Sequence, residues 1–200
     1  MNTLDTINAR RAVRHYDPTH QLSDEEQHQL FTHALLAPTS FNLQHVRLVA
    51  VTDPALRQQL RAVAWDQAHV TDSSLLVVIC ADMASWEKNA ARIWREAPQA
   101  VQDFMVPAID AYYRDKPQVQ RDEAMRSSGL VAQTLMLAAK AMGYDSCPMV
   151  GFDFDAVGKL INLPEDHVVG LMVAIGKGVE PAHPRIGKLP YDEVVIRDRF

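Results

Sequence analysis

The run Leu75-Leu76-Val77-Val78-Ile79-Cys80-Ala81 limits what this chain can fold into more than any other feature. It is apolar at every position, so both faces of the strand it predicts are apolar. That is the pattern of a central strand covered from both sides. The run is also far too short to span a bilayer. A second buried element is predicted at Asp122–Met142, where Leu130, Val131, Thr134, Leu135, Leu137, Ala138 and Ala141 make a wide apolar stripe. A stripe that wide belongs to a helix buried on most sides, and Gly143 is placed to terminate it.

The remaining elements are read from their ends. Thr3 or Asp5 caps a short first helix that stops near Arg10. Ser23 and Glu26 form a capping box ahead of Leu30, Phe31, Ala34 and Leu35. Arg47–Val51 reads as a strand. Asp53 and Pro54 open a helix that reaches about Val63. Cys147–Val150 is a short strand or the entry to a turn at Gly151. Asp153 or Asp155 caps a helix to about Ile161, and Val168–Ile175 is the last clear strand. Residues 84–116, with two tryptophans and two tyrosines amid mixed charge, form short helices in an excursion from the core. The tail from Gly176 to Phe200 is loop-like and ends in an extended piece, Glu193–Ile196. An irregular tail of that length is odd on a compact domain unless it wraps something, and a second subunit is the obvious candidate.

Two hundred residues, 48% apolar and 22% charged, suit one globular domain spanning 1–200. The net charge of −5 argues against a general nucleic-acid binder. Cys80 and Cys147 lack CxxC spacing, and this usage fits a reducing compartment. The polar N-terminus shows no signal peptide, so a cytoplasmic location with neither membrane nor nucleic acid as partner is expected. There is no GxGxxG, P-loop, HExxH or GxSxG, and the eight histidines are scattered, so no metal is expected.

Against the acidic background, Arg10, Arg11 and Arg14 place three guanidiniums within five residues. Guanidinium matches phosphate and carboxylate oxygens in bidentate fashion, so the cluster suggests a bound anion. The plainer alternative is a solvated basic turn paired with Asp5 and Asp17. Ala37–His45 offers Thr39, Ser40, Asn42 and Gln44 between a helix and a strand. Amides both donate and accept, as a heterocycle edge requires, although polar loops of this kind are common. Gly151 lets backbone approach a flat ligand closely. Arg185 and Lys188, in a proline-flanked loop, could grip a phosphate or form an exposed basic tail.

The order and spacing of Arg-Arg-x-x-Arg-x-Tyr (10–16), Ala-Pro-Thr-Ser-x-Asn-x-Gln (37–44), Gly-Tyr-Asp-Ser-Cys-Pro-x-x-Gly-Phe (143–152) and Lys-Leu-Pro (188–190) resemble the FMN-dependent nitroreductase family, over Ile7 to about Val195. The short length resembles its NAD(P)H nitroreductase and quinone-reductase branch. The resemblance implies an α+β fold, a mixed sheet flanked by helices, in an intertwined homodimer with C-terminal tail exchange. It implies FMN at two interface sites, NADPH or NADH as electron donor, and a small aromatic acceptor such as a nitroaromatic or quinone, reduced by a ping-pong mechanism. Carried over by position, Arg10 and Arg11 approach the FMN phosphate and ribityl chain, with Arg185 and Lys188 completing the clamp. Arg14 lies at the flavin N1/O2 edge, where two-electron reduction places negative charge, and is the candidate catalytic residue. Ser40 and Asn42 come from the partner subunit, and Gln44 lies in the same loop. Val150 and Gly151 meet N5 and O4 through their backbone. Ala12 stands where many members have Ser, Gln44-His45 replaces the frequent Gln-Pro-Trp, and Asp66 falls where relatives often carry Asn near N3. The 84–116 excursion lies over the flavin, with Phe104, Tyr112 and Tyr113 as candidates to stack on substrate. A non-catalytic flavin-binding or redox-sensing protein is the alternative.

Overall fold

The computed structural model describes residues 2–200. In chain order they form α1 (Thr3–Ala9), α2 (Asp24–Ala34), a 3-10 turn (Ser40–Asn42), β1 (Val46–Val51), α3 (Pro54–Val63), α4 (His69–Asp72) and β2 (Leu75–Asp82). There follow α5 (Ser85–Trp94), α6 (Gln99–Tyr113), α7 (Pro117–Ala141), β3 (Asp145–Met149), α8 (Phe154–Leu160), β4 (His167–Gly176) and α9 (Tyr191–Val194). The sheet order is β1-β2-β4-β3, with every neighbouring pair antiparallel. The parallel part of the expected mixed sheet reduces, among the described residues, to an isolated bridge between Ala12 and Ser146.

All eight residues of β2 are buried. Strand alternation sends Leu76, Val78 and Cys80 into one cluster with Leu60 of α3, Val70 of α4, Val157 of α8 and Met172. Leu75, Val77 and Ile79 enter a second cluster with Leu30 and Ala34 of α2 and Val131, Leu135 and Ala139 of α7. Each such aliphatic side chain contributes about 1.5–3 kcal/mol on burial, so the two-sided apolar run dictates the three-layer arrangement. Burial pushes the Cys80 thiol up to about 12, where it is an inert core group. The excursion builds a third cluster from Trp86, Ala90, Ile109 and Tyr113, closed by Leu43.

The capping signals act largely as read. Ser23 and Glu26 make a full capping box. Asp53 caps α3 with Pro54 in its first turn, and Asp153, not Asp155, caps α8. α1 is capped by Asn2, whose side chain accepts from the Asp5 N–H, rather than by Thr3 or Asp5. α7 ends in a Schellman motif: Gly143 sits at φ +84°, Tyr144 N–H donates to Ala139 O, and Gly143 N–H donates to Lys140 O. The expected extended piece at Glu193–Ile196 is instead helical over its first half, since Glu193 and Val194 lie in the helical turn α9. No strand pairs with it, so Pro190 and the acidic residues after it set the local conformation.

Candidate functional site

The segment after α1 is held to the sheet by backbone. Val13 N–H donates to Ser146 O (3.1 Å), and buried Val13 and Tyr16 anchor it while Arg10, Arg11 and Arg14 stay at the surface. The tail returns to this segment. Arg185 donates to Asn8 O (3.0 Å) and Arg10 O (3.1 Å), and Arg11 donates to His183 O. α1 has no basic residue in its last turn, so Arg185 supplies the missing cation at the negative end of that helix. Between the two segments lies a cleft of about 580 Å³ lined by Arg10, Arg11, Ala12, Arg14, Arg185 and Lys188, with no carboxylate in its lining. Of the twelve residues expected from sequence to hold the cofactor, these six are brought together in one cleft, and Ser40, Asn42, Gln44, Asp66, Val150 and Gly151 do not line it. Five cations with no ion-pair partner among the described residues make a strongly anion-attracting surface.

Val150 is exposed and Gly151 half-buried in a ledge after β3. Gln67 donates from its side chain to Gly151 O (2.9 Å). The ring of Trp65, 76% exposed, covers Gly151 so closely that a Cβ there would lie 2.6 Å from it. Trp65 and Asp66 hold positive φ, 55° and 52°, a conformation non-glycine residues rarely adopt. The Asp66 carboxylate, expected to face a ring N–H, is engaged by Arg61 Nε at 2.7 Å. His69 on α4 is buried, and its Nε2 has no partner. Burial, then the charge of nearby Arg14, lowers its pKa and keeps it neutral. Sequence reasoning missed Trp65, Gln67 and His69. Nothing in a short polar stretch marks which of its side chains turn inward.

Ser40, Asn42 and Gln44 lie apart from that cleft. Their loop is strained, with Phe41, Asn42 and Gln44 at φ 50°, 56° and 48°. The excursion braces it: Trp94 Nε1 donates to Phe41 O (3.2 Å), Ser85 donates to Leu43 O (3.1 Å), and the Tyr113 hydroxyl donates to Ser40 Oγ (2.7 Å). Tyr113 is therefore not free to stack on a ligand. It is 2% exposed and lies parallel to Trp86, with ring centroids 6.2 Å apart. Burial pushes its hydroxyl up to about 12. Tyr112 is 39% exposed, with its hydroxyl donating to Glu123, and Phe104 is 71% exposed. Elsewhere, Asp82, Asp166 and His167 cluster closely enough for a metal, but Lys88 already supplies a cation to both carboxylates.

The family model described as the Nitroreductase family matches residues 7–177. Protein DrgA of Synechocystis is 53% identical over 182 residues, covering 91% of this chain and 87% of DrgA. The protein named "Putative NAD(P)H nitroreductase MhqN" of Bacillus subtilis is 32% identical, covering 94% and 95% of the two chains. A structure from Exiguobacterium sibiricum, solved in complex with FMN, superimposes with a TM-score of 0.89 at 29% identity, covering 98% of this chain and 97% of the other.

Proposed function

This chain belongs to the nitroreductase family, and from that premise we propose that it is an FMN-dependent oxidoreductase that takes hydride from NADPH or NADH and passes it to a nitroaromatic, quinone or similar acceptor in a ping-pong sequence. The observation that carries the reading is the cationic cleft without a lining carboxylate. Its donor set fits FMN, because a phosphate dianion needs several fixed cations. When bound, FMN supplies the two-electron chemistry, accepting hydride from the donor and yielding it to the acceptor.

The protein's part is to bind, orient and polarise. Arg10, Arg11, Arg185 and Lys188 grip the phosphate end with charge-assisted hydrogen bonds. Arg185 does this while also tying the tail to α1, so cofactor binding and tail placement are coupled. Arg14 holds a fixed positive charge where electron density builds on the pyrimidine edge. The Val150–Gly151 ledge would offer backbone N–H groups to the ring, since the Gly151 carbonyl is taken by Gln67 and Trp65 covers the Gly151 Cα. Ser40, Asn42 and Gln44 serve a second copy's cofactor, which makes the homodimer with exchanged tails the working unit. Solvent supplies protons, so no side-chain acid is required.

An anaerobic absorbance spectrum of the purified protein tests this directly. A flavin band that NADPH or NADH bleaches and a quinone restores is the expected result. A band that both nucleotides leave unchanged favours a flavin carrier, and no uptake of added FMN overturns the assignment of the cleft.

A further inference from the structure

A second basic cleft lies beside the Ser40–Asn42 turn. It has a volume of about 330 Å³ and is lined by Gln44, Arg47, Asn89, Arg92 and Arg95 among others, again with no carboxylate. The three guanidiniums converge from two separate elements, Arg47 from β1 and Arg92 and Arg95 from the end of α5. Arg92 and Arg95 also suit the negative end of that helix, and Arg47 donates from Nη1 to Gln44 O (2.8 Å) and Val46 O (3.1 Å), so it braces the loop while adding its charge to the cleft. Little neutralises the trio. Arg47 reaches Asp82 only at 3.9 Å, and Asp82 is already held by Lys88 at 3.1 Å. Arg95 pairs at 3.6 Å with Glu96, which is 85% exposed. Arg92 has no ion-pair partner among the described residues. The Gln44 and Asn89 amides already donate to Asn42 Oδ1 (3.4 Å) and Ser85 Oγ (2.9 Å), and each keeps a second N–H as a neutral donor. The volume is at the small end for ligand pockets, enough for one phosphorylated portion of a larger molecule.

Resting on the oxidoreductase reading, we propose that this cleft binds a phosphate group of the pyridine-nucleotide donor. A nicotinamide placed over the flavin trails its phosphates toward the rim of the site, and Gln44 belongs both to the flavin-facing loop and to this cleft. Two phosphates fit the chemistry, the 2′-phosphate of NADPH and the pyrophosphate that NADH shares.

The test is the donor KM of the FMN-loaded full-length protein and of its Arg92→Gln/Arg95→Gln variant, for NADPH and for NADH. Alongside it, calorimetric titration measures binding of 2′,5′-ADP and 5′-ADP to both. Both arginines are exposed, so FMN content and melting temperature serve as controls of folding. A rise of about fivefold to tenfold in KM for NADPH alone, with weakened 2′,5′-ADP binding, assigns the cleft to the 2′-phosphate. An equal rise for both donors, with weakened 5′-ADP binding, assigns it to the pyrophosphate. Donor KM values and nucleotide affinities that the variant leaves unchanged overturn the proposal. If neither donor bleaches the wild-type flavin, the oxidoreductase reading fails on its own, and the calorimetric comparison still decides whether the cleft holds a nucleotide phosphate.

Discussion

Arg14 stands in a cleft with four other cations and no lining carboxylate. Removing one of five cations weakens the grip on a phosphate only in part. If FMN binds as proposed, with Arg14 at the pyrimidine edge, removing that cation takes away stabilisation that matters during electron transfer. Arg14→Ala should therefore slow anaerobic flavin reduction by about a hundredfold while weakening FMN retention far less. Stopped-flow reduction and equilibrium dialysis measure the two, and equal losses would remove the specific role. Tyr113 acts differently. Its hydroxyl bonds Ser40 at 2.7 Å from within the excursion's core, so Tyr113→Phe should cost about 1 kcal/mol and lower the melting temperature by about 2–4 °C. Calorimetry checks this, and an unchanged melt would mean the strut carries no load. These two residues mark what a sequence discloses. Arginines crowded into an acidic chain suggest an anion, but their charge alone does not separate that from a solvated basic turn, and the distant Ala37–His45 and Gly143–Phe152 segments are needed to favour a ligand. The excursion, with apolar and polar residues mixed, gives no sign of which tyrosine turns inward.

At the level of elements, the contact between α7 and β4 rests on one missing side chain. The β2–β4 ladder skips between Ile79 and Cys80, leaving Gly170 opposite the gap, where a Cβ would lie 2.9 Å from Ser128 Cβ and 3.3 Å from Ile79 O. Gly170→Ala should push α7 off the sheet and cost about 1–3 kcal/mol in urea unfolding. Gly158→Ala should do the reverse. Its Cβ meets nothing nearer than 3.5 Å and lies inside α8, so the gain in helix propensity stabilises by about 0.5–1 kcal/mol. Matching signs for the two would refute the steric account. The strands and caps were legible because burial and capping are local patterns, as at Leu75–Asp82 and Ser23–Glu26. α7 begins at Pro117, five residues before the expected Asp122, because a proline at the first helical position reads in sequence like a loop residue. The bulge at Gly170 and the strained Phe41–Gln44 turn were not legible, since both depend on partners distant in the chain.

Across the whole molecule, acid should weaken the fold in two stages. His45 and His69 are buried with lowered pKa values, chiefly through desolvation. The unfolded chain binds their protons near pH 6.5 and the folded chain binds them only lower, so stability falls as pH drops below about 6.5. Glu26, hydrogen-bonded by Tyr144 and Ser23, and Asp166, hydrogen-bonded by Lys88 and His167, are both held down at about 2. Their contribution is complete above the unfolded carboxylate range near 4 and disappears as pH falls toward 2. Thermal melts of His45→Asn and Glu26→Gln should flatten the first and second stages respectively. The surface raises a larger question. Ile186 is 91% exposed, with Leu189, Tyr191 and Val194 each 60% or more, while Leu4 and Leu36 are 71% and 76% exposed at the other end of the chain. Large apolar side chains left in water along the tail would suit a surface that a second copy covers. If the tail wraps a second copy, truncation after Glu180 should convert a sedimenting dimer into a monomer that retains no FMN. That result alone would confuse loss of the interface with loss of Arg185 and Lys188. The Arg185→Gln/Lys188→Gln variant separates them, because it keeps every apolar residue of the tail. It should remain a dimer and bind FMN at least tenfold more weakly, and a truncated chain that still sediments as a dimer would remove the tail from the interface.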